Sequence, residues 1–91
     1  MKGRHYWNRI TDAVQLQAEP LPGLPLVEIA GDCRVLIEYH CGVMKYDRQL
    51  ICIKISFGRI EVSGCDLQLS HMTREQLVIT GKINSVCLAR E

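Results

Sequence analysis

The sequence predicts an all-β domain: a small antiparallel meander curling into a roll or sandwich, preceded by a short N-terminal helix. Three observations carry that expectation. From Gly58 to Leu88 apolar residues alternate with polar ones and glycine punctuates the runs, as in Gly58-Arg59-Ile60-Glu61-Val62-Ser63-Gly64 and Leu77-Val78-Ile79-Thr80-Gly81-Lys82-Ile83, which is the period-two signature of short strands and tight turns. Leu50-Ile51-Cys52-Ile53-Lys54-Ile55 is apolar at nearly every position, as in a strand covered on both faces. Pro20, Pro22 and Pro25 fall together and forbid a continuing helix there.

Taken in chain order, Trp7, Ile10, Ala13 and Val14 follow helical spacing. The spacing predicts one amphipathic helix over residues 6–18, too short to be stable alone in water and so dependent on docking. Residues 1–23 thus read as a helical leader with a proline-rich linker, and 24–91 as the β domain. Turn arithmetic then tests the hairpins. A three-residue loop at Gly31-Asp32-Cys33 pairs Ala30 with Arg34, Ile29 with Val35 and Val27 with Ile37, which collects the apolar set on one face. A two-residue loop at Gly64-Cys65 pairs Val62 with Leu67 and Ile60 with Leu69, leaving Glu61 and Gln68 on the wet face. At Gly81-Lys82, Leu77 would meet Val86 but Ile79 would meet Asn84, so that register needs a bulge near Asn84-Ser85. Each of these loops has the alternative reading of a kink within a longer strand. The expected strands lie near 26–30, 34–40, 42–46, 50–56, 59–63, 66–71, 76–81 and 83–89.

Composition limits the function classes. The chain has 91 residues, 47% of them hydrophobic, 5% aromatic and 23% charged, the make-up of a single globular domain with an aliphatic core. Eleven basic and ten acidic residues give a net charge of +1, which supplies no field to attract nucleic acid or an acidic substrate. No run approaches the eighteen apolar residues of a membrane span and no apolar secretion signal stands at the start, so the expectation is an intracellular, soluble chain. Its five cysteines are odd in number and form no C-x-x-C pair, which points to free thiols.

Residue types that could carry chemistry are few. His40 beside Cys41, with His71 or Asp47, supplies the ingredients of a thiol nucleophile, but neighbouring strand residues point to opposite faces, so His40 is badly placed as the base for Cys41. Cys33, Cys41, His40 and His71 lack the local spacing of a zinc site and would have to be assembled by strand pairing. A nucleic-acid-binding barrel needs aromatic platforms on a basic face, and the β region offers only Phe57, Tyr39 and Tyr46. No phosphate loop, nucleophile elbow or His-Glu-x-x-His is present. Lys2, Arg4, His5 and Arg9 beside Tyr6 and Trp7 fit either a helix packed on the sheet or a membrane-interface segment.

The ordered set Gly58, Ile60, Val62, Gly64, Leu67, Leu69, Leu77, Ile79, Gly81, Ile83, Val86 and Leu88 resembles the YabP/YqfC family of bacterial sporulation proteins. Val27-Glu28-Ile29-Ala30-Gly31 resembles the family's opening strand, and Ile37-Glu38-Tyr39-His40-Cys41-Gly42 is similar to the Ile-Glu-x-His-x-Gly segment of the YqfC branch. The resemblance spans roughly Leu24 to Leu88. It implies a non-enzymatic interaction or assembly module of the endospore-forming mother cell, cytoplasmic and peripheral to a membrane through a partner, because family members are genetically paired with membrane-anchored sporulation proteins. The expected partners are a second copy or another sporulation protein, with no cofactor, metal, nucleic acid or small-molecule substrate. The candidate interaction surface is Ile51, Ile53, Ile55, Trp7 and Ile10. Gly31, Glu38, His40, Gly42, Gly58, Gly64 and Gly81 are the family-motif residues, the glycines serving turns or bulges and His40 a hydrogen bond at a strand end.

Overall fold

Two fifteen-residue strands carry the architecture of this computed structural model, which describes residues 24–91. In chain order the strands are β1 (Leu26–Ala30), β2 (Arg34–Glu38), β3 (Val43–Tyr46), β4 (Leu50–Ile55), β5 (Gly58–Met72) and β6 (Gln76–Arg90). All pair antiparallel in one open sheet of order β1-β2-β6-β5-β4-β3. The all-β antiparallel class is therefore as the sequence predicts. The order is not that of a sequential meander, because β6 lies between β2 and β5. The expected leader helix, with Trp7 and Ile10, lies outside the described residues.

The β1–β2 hairpin has the register derived from its turn, with Val27 opposite Ile37, Ile29 opposite Val35 and Ala30 opposite Arg34. Gly31 takes φ +55°, the left-handed region that glycine enters without a Cβ penalty. The other two expected hairpins do not exist. Gly64 and Gly81 are interior to β5 and β6, so eight expected strands are six. Val62 pairs with Ile51 and Val86 rather than Leu67, Ile60 with Ile53 and Leu88, and Leu69 with Ile79. The ladder shifts between Ser63 and Gly64, where Asn84 is the extra residue, and again between Cys65 and Gln68.

These shifts bend the β5–β6 ribbon, and each short hairpin pins one side of the bend. The carbonyls of Asp32 and Cys33, in the β1–β2 turn, accept from the Ile83 and Gly81 N–H groups at 2.7 and 3.3 Å. Those of Arg48 and Gln49, in the β3–β4 turn, accept from Leu67 and Gly64 at 2.8 and 3.1 Å. The peptide groups freed by the bulges are thus satisfied by turns rather than left unpaired. At the bend the strands come too close for side chains: a Cβ on Gly64 would overlap the Lys82 carbonyl oxygen, and one on Gly81 would stand 2.6 Å from that of Asp66.

Bending brings the two halves of the sheet together around one core. Val35, Ile37, Leu77 and Ile79 from one half join Ile51, Ile53, Ile55, Ile60 and Val62 from the other, with Leu67 and Ile83 from the bend. Full burial of one such aliphatic side chain is worth about 1.5–3 kcal/mol. The outer face stays polar, as expected for an antiparallel sheet with one wetted side: Arg59 pairs with Glu61 at 2.7 Å and approaches Glu91, and the Ser63 and Ser85 hydroxyls meet across β5 and β6.

Candidate interaction surface and the motif crossover

The segment Ile37 to Gly42 is where the chain leaves one half of the roll for the other. Tyr39 stands at φ +62° and Gly42 at φ +120°, two left-handed residues that turn the backbone sharply between β2 and β3. The Tyr39 N–H donates to the Glu75 carbonyl at 2.6 Å, Cys41 N–H to Lys54 at 2.7 Å, and Lys54 N–H back to Gly42 at 2.8 Å. His40 locks this crossover. Its Nδ1 accepts from the Gly42 N–H at 3.0 Å, so in the neutral ring Nε2 carries the proton, which it donates to the Thr73 carbonyl at 3.0 Å. Glu38 Oε2 accepts from the Gln76 amide at 3.3 Å. The motif thus ties the β2–β3 crossover to the β5–β6 turn.

Both ring nitrogens of His40 are committed to backbone groups, so it is not turned to the thiol of Cys41, which is exposed beside it. Among the described residues no three of His, Cys, Asp and Glu gather closely enough to share a metal ion; in particular, Cys33, Cys41, His40 and His71 are not assembled. Phe57 packs against the core and carries the Arg90 guanidinium 5.0 Å above its ring. Arg59 is held above its ordinary pKa, first by its hydrogen bond to Glu61 and then by the charges of Glu61 and Glu91. A shallow depression on the β1–β2 hairpin, lined by Glu28, Ile29, Ala30, Arg34 and Leu36, holds no histidine or cysteine. Replacing His40 by Ala should lower the unfolding free energy by about 1–2 kcal/mol, as two backbone groups lose partners at a partly exposed site, read as a shift in the urea midpoint. An unchanged midpoint would show that the crossover holds without the ring.

The expected interaction residues of β4 are corrected by burial. Ile51, Ile53 and Ile55 are 0%, 0% and 1% exposed, because the bend lays the β2–β6 half of the sheet over them; no second protein is needed to cover that face. The surface that sequence reasoning missed lies elsewhere. Ile29, Met44, Tyr46, Met72 and Leu88 are each 51–59% exposed, and every one sits on a strand segment that borders the open sheet: β1, β3, the second half of β5 or the second half of β6. Periodicity could not have found them, since alternation assigns a residue to a face and not to an edge.

Fold and site together define a small β module whose polar motif groups bond within the chain, His40 to backbone and Glu38 to Gln76, and whose most exposed apolar side chains lie along its edges. The sequence matches the YabP family over residues 25–91, and the chain belongs to that family. Neither the curated proteins nor the solved structures contain a match. No helix among the described residues is long and apolar enough to cross a membrane.

Proposed function

We propose that this chain is a non-enzymatic sporulation protein, a small β module that acts by assembly in the mother-cell cytoplasm and reaches a membrane through a partner. The observation that carries the reading is the placement of the five most exposed large apolar side chains, Ile29, Met44, Tyr46, Met72 and Leu88, on strand edges with no described neighbour, the positions from which sheets recruit further strands. Family membership supplies the sporulation context, and the Ile-Glu-x-His-x-Gly segment at Ile37 to Gly42 favours the YqfC branch. The commitment of His40 to Gly42 and Thr73 favours a structural role for the motif over a catalytic one.

Light-scattering mass of the full-length protein over a concentration series, in reductant and with or without chelator, tests the reading. A mass that rises with concentration and ignores the chelator is the expected result. A monomer throughout would remove self-association and leave a different protein as the partner, and a chelator-sensitive mass would replace edge pairing with a metal-linked contact.

A further inference from the structure

Among the described residues, the second half of β6 is an unguarded edge. Beyond the bend, β6 pairs with β5 without interruption from Ser85 opposite Ser63 to Arg90 opposite Gly58, while β2 covers only Gln76 to Thr80. No described strand therefore lies on the far side of Ser85 to Arg90. The alternation of peptide groups follows from one hydrogen bond. Glu91 N–H donates to the Phe57 carbonyl at 3.2 Å, flanking the Gly58–Arg90 pair, so Ser85, Cys87 and Ala89 turn their N–H and C=O groups toward β5. Val86, Leu88 and Arg90 turn theirs outward.

Proteins ordinarily blunt such edges with bulges, charges, prolines or shortness. The other edges here are blunted. β1 is five residues long, and β3 is four residues long with a register shift between Val43 and Lys45. The second half of β5 is broken by shifts between Cys65 and Gln68 and between Leu69 and His71, and its Leu69 N–H is taken by the Tyr46 hydroxyl at 3.2 Å. Ser85 to Ala89 has no bulge, proline or charge, and presents Leu88 as the most exposed of the large apolar side chains.

We propose that this edge pairs antiparallel with the same edge of a second copy, in the register that sets Cys87 opposite Cys87 of the second copy. The proposal rests on the assembly reading and names its partner and site. The register is selected by complementarity. The outward groups of Val86 then meet those of the other Leu88 as a hydrogen-bonded pair, and Leu88 meets Val86 in return, so the exposed Leu88 of each copy is covered on the inner face by the half-buried Val86 of the other. Cys87, exposed on the outer face, becomes the centre of a non-hydrogen-bonded pair with a Cα separation of about 4.5 Å, which falls within disulfide range. A ribbon of some six residues is a small interface, so the dimer should depend on concentration.

The test is mild oxidation of the full-length chain with copper–phenanthroline, read on non-reducing gels. Wild type and a Cys33→Ser, Cys41→Ser, Cys65→Ser variant should both form a covalent dimer, and Cys87→Ser should not. Leu88→Pro removes an outward N–H that β5 does not use, so it should keep the circular dichroism of the wild type while losing both the cross-link and the dimer mass. Cross-linking that persists in folded Leu88→Pro would mean random collision and overturn the proposal. A dimer mass without a Cys87 cross-link would overturn this edge while sparing self-association, whereas a monomer at every concentration would overturn this edge and self-association together and leave a different protein as the partner.

Discussion

Ile53→Asp should abolish cooperative unfolding altogether. Ile53 is fully buried, opposite Val43 on one side and Ile60 on the other, within a cluster drawn from both halves of the sheet. The substitution removes an aliphatic side chain worth about 1.5–3 kcal/mol and sets a carboxylate where none of the core side chains can pair with it, a class of change that costs about 4–5 kcal/mol or more. A domain of this length has roughly 5–10 kcal/mol in total. Thermal scans monitored by circular dichroism should show no transition for Ile53→Asp, whereas Ile53→Val should shift the urea midpoint by only about 0.5–1.5 kcal/mol. Leu88→Asp, on the exposed edge, should fold nearly as the wild type does, at a cost within about 1 kcal/mol. A folded Ile53→Asp protein with altered assembly would return β4 to the surface and contradict the bent-sheet core.

The contrast between those two positions marks what the sequence could disclose. The Gly64-Cys65 hairpin reading puts Ile60, Val62, Leu67 and Leu69 on one face, and the first three are fully buried while Leu69 packs beside them. That shared face holds although the hairpin does not exist: even and odd positions of one continuous strand face opposite ways, and the extra residue between Cys65 and Gln68 brings Leu67 and Leu69 back to the face of Ile60 and Val62. Partners are different. The register of Val27 with Ile37 was legible since one turn glycine sets it locally, but the insertion of β6 between β2 and β5 joins residues some forty positions apart along the chain, and no local pattern encodes it. The run Leu50 to Ile55 misled for a related reason: Ile51, Ile53 and Ile55 look inward, and Cys52 on the outer face stands between Lys45 and Glu61 of the neighbouring strands, whose long stems shield a small thiol.

Glycine was the most ambiguous signal, because a tight turn and a close backbone approach both demand it. Gly31 is the first kind: its φ is +55° and a Cβ there meets nothing within 4 Å. Gly64 is the second kind. Its φ lies outside the left-handed region, yet a Cβ would overlap the Lys82 carbonyl oxygen and stand 3.0 Å from that carbonyl's carbon, on a strand already held from the other side by the Gln49 carbonyl. Two backbones cannot rotate aside as a flexible side chain can. Gly64→Ala should therefore force β5 and β6 apart at the bend and loosen the packing of Leu67 and Ile83 beneath it, at a cost of about 3 kcal/mol or more. Gly31→Ala should cost about 1–2 kcal/mol, the penalty of a left-handed alanine alone. Urea unfolding of the two variants side by side separates the roles. Equal, small losses would mean that the bend relaxes around a methyl group, and the two long strands would then owe their bend to the pinning hairpins rather than to the close approach at Gly64.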